Sequence, residues 1–375
     1  MASATLEPVA IVGYACKLPG EVSSPEDLWE LCSRGRTGWG PTPSTRYSKD
    51  AYYHPAPGKH GCINTEGGYF LHEDPARFDA PFFNMTVQEA TALDPQQRLL
   101  LECTFEAFES SGMTKEGVAG KDIGVFVGGS FADYEVNNTR DIDTAPTYQA
   151  TGCAPAMQSN RLSLLNDAGK TFAFDHRAIS GFARGEGAGS IVLKPLNAAI
   201  RDGDVIRAVI HNSGVNQDGK TNGITVPNGR AQSDLIKQVY AKAGLDPAEC
   251  GFSECHGTGT KVGDPIEVAG IHEALGAGRS PRSPLFIGSV KSNVGHLEGA
   301  SGIVSVIKAA MMLEKGMLLP NANFETANPN IPLNEYNMKV RNVLIVMIVT
   351  IVVLIVMIMM VMAIINVIII RKLTT

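Results

Sequence analysis

A cysteine stands directly before a histidine in "SECHGTGT", Ser253 to Thr260. A thiol and an imidazole are the parts of a nucleophile and its general base. The residues leading into them, "CGFSE", read as a strand that breaks into a Gly/Thr turn. Successive side chains of a strand point to opposite faces, so Cys255 turns away from whatever His256 faces. The two are not a working pair, and a nucleophile for His256 has to come from elsewhere in the chain.

A second histidine, His296, sits in "KSNVGHLEGASG", between the strand-like "PLFIGSV" and a helix crowded with small residues. Loops at the C-terminal ends of strands are where α/β enzymes place reactive groups. The helix start behind His296, and Lys291 five residues before it, would both favour a neutral imidazole or a nearby anion. Either histidine alone reads as a hydrogen-bonded structural residue. Two at equivalent strand-to-helix junctions form a pair suited to stabilising an oxyanion or handling a proton.

The elements that must hold this pair follow a repeated grammar. "PVAIVGYA" reads as a buried strand. "SSPEDLWELCSRG" reads as a helix with Ser24 as cap, Pro25 in the first turn and Gly35 past the end. "LDPQQRLLLECTFEAFESSG" repeats the pattern with Asp94, Pro95 and Gly112, and puts Leu99, Leu100, Cys103 and Ala107 on one face. "DIGVFVGGS" reads as another buried strand. "GSIVLKPL" and "IRAVIHNSGV" follow as strands. "RAQSDLIKQVYAKAG" is a helix with Leu235, Ile236, Val239 and Tyr240 inward, and "DPIEVAGIHEALG" is a further helix. Strands alternating with amphipathic helices predict a layered α/β fold. "GEGAGS" resembles a phosphate loop but precedes a strand, where such a loop should open a helix.

The chain has 375 residues, enough for one large α/β domain or two ordinary ones. Its net charge of −6 includes no block of like charges and gives no footing for nucleic acid or an anionic membrane. Cysteines 16, 32, 62, 103, 153, 250 and 255 are odd in number and lack CxxC spacing, which favours reduced thiols over a disulfide framework or a metal site. "MASATLEPVAIVGYA" lacks a basic region followed by a long apolar stretch, so no secretory signal is expected.

The far end departs from this picture. Val343 to Ile370 is an uncharged apolar run, broken only by Thr350, Ala363 and Asn366. As a helix it would be about 42 Å long, enough to cross a bilayer core of about 30 Å. Lys339, Arg341, Arg371 and Lys372 would suit its flanks. Its monotony of Ile, Val, Met and Leu equally fits non-coding sequence translated by mistake, since all their codons carry U in the middle. Both readings stay open at this point.

Several stretches resemble one family: "EPVAIVGYACKLPGEVSSPEDLWELCSRGRTGW", "GVFVGG", "GVNQDGKTNGITVPN", "ECHGTGTKVGDPIE", "GSVKSNVGHLEGASGIVSVIKA" and "NANFETANPNIPLNEYNMKV". They are similar, in order from about Glu7 to Val340, to the β-ketoacyl synthase domain of iterative type I polyketide synthases, most closely the fungal highly reducing type. The resemblance implies a thiolase-like α/β fold of two pseudo-repeated halves, a homodimer and a cytoplasmic setting. It implies decarboxylative Claisen condensation of acyl and malonyl thioesters presented by acyl carrier protein. No cofactor belongs to the domain itself, because the phosphopantetheine is carried by that partner. His256 and His296 match the family's catalytic histidines and Lys291 its lysine. Thr258 and Thr260 match residues lining the pantetheine channel, and Asp264 the acid after that turn.

The family's cysteine nucleophile lies in a "DTACSSS" motif, and this sequence contains none. "SNRLS", ending at Ser163, runs straight into "LLNDAGKTFAFD", which resembles a segment well downstream. More than a β-α-β unit of about 30 residues is missing between Ser163 and Leu164. Cys153 lies in the correct half but near the pocket approach, where a nucleophile misplaced by about 1 Å already loses most of its rate; Cys16, Cys32 and Cys103 read as small core residues, and Cys62 and Cys250 have no partner motif. The organisation read here is therefore 1–163, an incomplete N-terminal half; 164–340, a C-terminal half with both histidines; and 341–375, the apolar tail. Over-splicing at Ser163 and read-through after Val340 would share one cause, an incorrect gene model. Three readings follow: a ketosynthase domain unable to condense, a dimerising or carrier-binding remnant, and a tail-anchored membrane protein.

Overall fold

Nine residues of "VAIVGYACK" form strand β1, Val9–Lys17, whose interior is buried from Ala10 to Cys16. The computed structural model describes residues 7–56, 59–119, 121–129, 133–138, 140, 170–178, 181–219, 221, 227–346, 352–359 and 364–371. Helix α1, Pro25–Ser33, starts as expected: Ser24 Oγ accepts the Asp27 N–H at 3.2 Å and Pro25 occupies the first turn. Helix α2, Pro95–Ser110, is capped by Asp94, which accepts the Gln96 N–H at 2.8 Å. Cys103 and Ala107 are buried on it, but Leu99 and Leu100 are only half-buried. Arg98 takes the inward position because its guanidinium donates to the Leu93 carbonyl at 2.6 and 3.0 Å.

The remaining elements are β2, Ala188–Pro195; β3, Ala208–Gln217; α3, Gly229–Ala243; β4, Cys250–Glu254; α4, Gly263–Leu275; β5, Leu285–Gly288; α5, Lys291–Val294; α6, Ser301–Lys315; β6, Met338–Val340; β7, Val352–Met359; and β8, Ile364–Arg371. Leu235, Ile236, Val239 and Tyr240 of α3 are buried, as the periodicity predicts. One mixed sheet runs β2-β1-β3-β8-β7-β4-β5-β6. The β7-β4-β5-β6 block is parallel and the other pairings are antiparallel. Helix α6 lies under this sheet, with Val304, Ile307, Ala309, Ala310 and Met312 fully buried.

The apolar run near the C-terminus is not a spanning helix. Of its described residues, Ile345–Val346 pair antiparallel with Met317–Leu318, and those from Val352 onward form the β7–β8 hairpin, inserted between β3 and β4, with Val353, Ile355 and Ile370 in the same core as α6. No helix among the described residues is long and apolar enough to cross a membrane. The physical reason lies in the composition. Ile and Val are β-branched and favour strands, and a strand buried on both faces reads as a continuous apolar run. Hydropathy alone does not separate that case from a membrane helix.

A second expectation also changes. "DIGVFVGGS" was expected to be a buried strand, yet its described residues, 122–129, join no strand and are exposed throughout. No neighbouring strand among the described residues supplies the hydrogen-bond ladder it would need. Cys153 and the Ser163–Leu164 junction fall outside the described residues.

Candidate active site

His256 follows β4 by two residues, at the C-terminal end of a parallel strand, as the sequence predicts. Cys255 is fully buried with its Sγ turned back to the Ser253 carbonyl at 3.5 Å, and burial pushes its thiol well above the ordinary range. The adjacent cysteine and histidine do not share a site. The turn after His256 closes on two acidic side chains from α4. Glu267 accepts the N–H groups of His256 at 2.7 Å and Gly257 at 2.9 Å. Asp264 accepts those of Gly259, Thr260 and Phe174 at 3.1, 3.3 and 2.8 Å. Gly257 is required, since φ is +43° and a Cβ would sit 2.6 Å from Ser289 Cβ.

The family of Gly-rich segments converges on the other histidine. His296 donates its backbone N–H to the Ala183 carbonyl at 2.8 Å and accepts the Gly185 N–H at 2.9 Å. Gly185 has no room for a Cβ, which would meet the Val294 carbonyl oxygen at 2.3 Å. The Ala183–Gly185 backbone ahead of β2 thus clamps the histidine loop, and "GEGAGS" leads into that strand without phosphate-loop geometry. Glu186 is in turn fixed by a bidentate Arg46 contact at 2.7 and 2.8 Å.

The two imidazoles meet edge to face, with ring centroids 5.4 Å apart. Phe182 lies 4.8 Å from the His296 ring on another side. His296 Nδ1 accepts the Glu298 N–H at 3.0 Å, with Ser301 Oγ at 3.2 Å. In a neutral ring that leaves the proton on Nε2, which becomes a hydrogen-bond donor. Burial, then the charge of Lys291, hold both histidines well below the ordinary imidazole range. Both are therefore neutral donors or acceptors at neutral pH.

Lys291 is fully buried at the start of α5, and burial lowers its pKa. Its ammonium makes no hydrogen bond among the described residues, so it acts on the histidines through its charge. Thr258 and Thr260 bring their hydroxyls within 3.5 Å of each other, and Thr260 Oγ1 also caps the Gly263 N–H at 3.1 Å. Asp264 differs in posture from the threonines: its carboxyl faces inward onto backbone amides. Burial raises it to about 6.

Sequence reasoning missed Glu254 and Lys308. Glu254 Oε1 accepts the Val290 N–H at 2.6 Å, and Oε2 pairs with Lys308 Nζ at 2.7 Å. The pair joins β4, the loop before Lys291 and α6. The available signal was a lysine in the apolar middle of a helix, between Ile307 and Ala309, which needs a buried counter-charge. Glu267 was likewise passed over, although it lies one turn after Asp264 and on the same side of α4.

Two family models match: "Beta-ketoacyl synthase, N-terminal domain" over residues 6–169 and "Beta-ketoacyl synthase, C-terminal domain" over residues 207–325. Highly-reducing polyketide synthase 1 of Aureobasidium melanogenum is 81% identical over 399 residues, covering 91% of this chain and 18% of that protein. Highly reducing polyketide synthase PKS6 of Gibberella zeae is 42% identical over 400 residues, covering 90% and 16%. The chain thus spans less than a fifth of these relatives. Both alignments are longer than the 375 residues present here, so the relatives carry residues within the matched region that this chain lacks. An oxazolomycin ketosynthase domain of Streptomyces albus superposes with a TM-score of 0.88 at 25% identity, over 98% of this chain and 74% of its own. The ketosynthase from module 6 of the bacillaene synthase of Bacillus subtilis gives 0.85 at 28%, over 98% and 73%. The fold is thiolase-like α/β.

Proposed function

The chain belongs to the β-ketoacyl synthase family, and from that premise we propose that it is a ketosynthase domain that decarboxylates a malonyl thioester on acyl carrier protein but does not condense. The malonyl carboxylate leaves as CO2, and the electron pair of the broken C–C bond moves into the thioester as an enolate. That enolate oxygen accepts hydrogen bonds from the neutral imidazoles of His256 and His296. Protonation of the enolate carbon then yields an acetyl thioester. Lys291 lowers the cost of the developing negative charge. Thr258 and Thr260 line the approach of the phosphopantetheine arm, and Asp264 sets the turn that presents them.

The observation that carries this reading is the His256–His296 contact at 5.4 Å with His296 Nδ1 already occupied, which leaves the ring proton on Nε2 as a donor. Condensation additionally needs a nucleophile to hold the acyl group. Among the described residues Cys16, Cys32, Cys103, Cys250 and Cys255 are buried and Cys62 is half-buried. Burial raises Cys16, Cys32, Cys103 and Cys255, the opposite of an activated thiolate. Incubation with malonyl-acyl carrier protein tests the proposal. CO2 release above background that is lost in His296→Ala supports it, and no release removes it.

A further inference from the structure

Tyr69 comes from the first part of the chain and is 1% exposed, and its ring rests against the turn that delivers His296. Gly295, the residue just before His296, has φ +73° and ψ −173°, a conformation left to glycine. A Cβ there would fall 2.6 Å from Tyr69 Cδ2 and 2.8 Å from its Cγ. The phenol ring thus fills the space that a side chain would need, one peptide before the histidine.

Backbone bridges extend this contact into a ribbon. Tyr69 bridges Gly185 and Arg184 bridges His296, both in parallel register. The Tyr69 N–H donates to the Arg184 carbonyl at 3.4 Å, and the Tyr69 carbonyl accepts the Glu186 N–H at 2.8 Å. The Glu186 carboxylate takes the Leu71 N–H at 3.0 Å, which holds the segment on both sides of Tyr69. Residues 36–38 grip the same turn: the Gly38 N–H donates to the Asn293 carbonyl at 2.8 Å, and Asn293 Nδ2 donates to the Arg36 carbonyl at 2.8 Å. With the main chain fixed, the imidazole keeps only its side-chain torsions, and Phe182 and the donors on Nδ1 set those.

We infer that Tyr69 is a positioning residue for His296: its ring, packed on Gly295, sets the 5.4 Å approach of the two imidazoles. The hydroxyl lies at the far end of the ring from the Cγ–Cδ2 edge that meets Gly295, and is reached there by Thr37, the Thr171 N–H and Asn323. Losing the hydroxyl alone therefore leaves the Gly295 contact in place. A misplacement of about 1 Å can cost on the order of a hundredfold in rate. The consequence for CO2 release rests on the proposed function; the placement of His296 by Tyr69 does not.

The test uses the full chain and separate readouts of position and rate. The His296 imidazole NMR signals are expected to shift in Tyr69→Ala and to stay in place in Tyr69→Phe, which keeps the ring. With malonyl-acyl carrier protein, Tyr69→Ala is expected to lower kcat for CO2 release by about tenfold or more while KM changes by less than about twofold, and Tyr69→Phe to restore kcat. Where Tyr69→Ala does not fold, Tyr69→Leu, which keeps apolar bulk without the flat ring, is expected to shift the signals likewise. Gly295→Ala should destabilise the parent chain more than a chain already carrying Tyr69→Ala or Tyr69→Leu, because the ring it would strike is gone. Unmoved His296 signals, signals moved equally by Tyr69→Phe, a rise in KM with kcat unchanged, or equal costs of Gly295→Ala in both backgrounds overturn the inference. A parent chain that releases no CO2 removes the decarboxylation proposal, and the signals and the Gly295 cycle still decide the role of Tyr69.

Discussion

Glu254 and Lys308 form an ion pair at 2.7 Å with neither side chain reaching solvent. Glu254 also holds the Val290 amide that begins the Lys291 turn. Removing one partner strands a buried charge, which costs about 3–5 kcal/mol. Lys308→Met is therefore expected to lower the denaturant midpoint steeply. The double variant Glu254→Gln/Lys308→Met is expected to recover more than half of that loss in a double-mutant cycle. Additive losses would show that the two side chains do not act as a pair.

Glu267 is the clamp on the His256 backbone, taking two amides with one carboxylate. Glutamine keeps the shape but sets an NH2 group against one of the two donors. The expected cost is about 1–3 kcal/mol of stability. The His256 imidazole NMR signals should move while those of Tyr14, packed in the β1–α6 core, stay in place. Unchanged His256 signals would disconnect Glu267 from the site.

The histidines predict a pH dependence with a definite sign. Their folded-state pKa values lie well below 6.5, so on acidification the unfolded chain takes up protons first. Stability contributed by neutral burial is present above about pH 6.5 and is lost as the pH falls below it. Asp264 acts in the opposite sense. Its carboxyl rises from 3.8 to about 6 on folding, so its contribution is present below about pH 4 and is lost as pH rises through 6, by roughly 3 kcal/mol. Denaturant midpoints from pH 4 to 8 separate the two. Asp264→Asn should steepen the acid-side fall, and His296→Gln should flatten it. A steeper fall in the histidine variant would contradict the assignment.

The C-terminal hairpin predicts a fold defect where a membrane anchor predicts none. Ile355 is fully buried between β4 and β8, with its neighbours in the α6 core. Ile355→Asp buries an unpaired charge in the sheet and should cost at least about 3 kcal/mol. Ending the chain after Arg341 should leave the facing edges of β3 and β4 unpaired and lead to aggregation. A truncated chain that unfolds at the same denaturant concentration would remove the hairpin from the core.

Much of this arrangement is legible in the residues. The caps at Ser24 and Asp94, the buried stripe of α3 and the strand-end position of His256 follow from local rules that the chain obeys locally. So does the outward turn of Cys255 from His256, which needs only strand alternation. Partners distant in sequence are not legible: Glu254 meets Lys308 across 54 residues, and Gly185 meets His296 across 111. Two expectations failed for the same reason. The Val343–Ile370 run and "DIGVFVGGS" are both apolar enough for a buried strand. Which one is covered depends on the strands available beside it, a property of the whole sheet. The absence of a "DTACSSS" motif, by contrast, is read from the sequence alone, since the Ser163–Leu164 junction lies outside the described residues.

Mass spectrometry of the intact chain after exposure to an acyl thioester and malonyl-acyl carrier protein tests the half-site most directly. On the proposed function, two neutral histidines with no activated sulfur among the described residues predict CO2 release with no acyl group on any of the seven cysteines and no lengthened product. An acyl adduct on one cysteine, followed by a β-ketoacyl thioester two carbons longer, would contradict it.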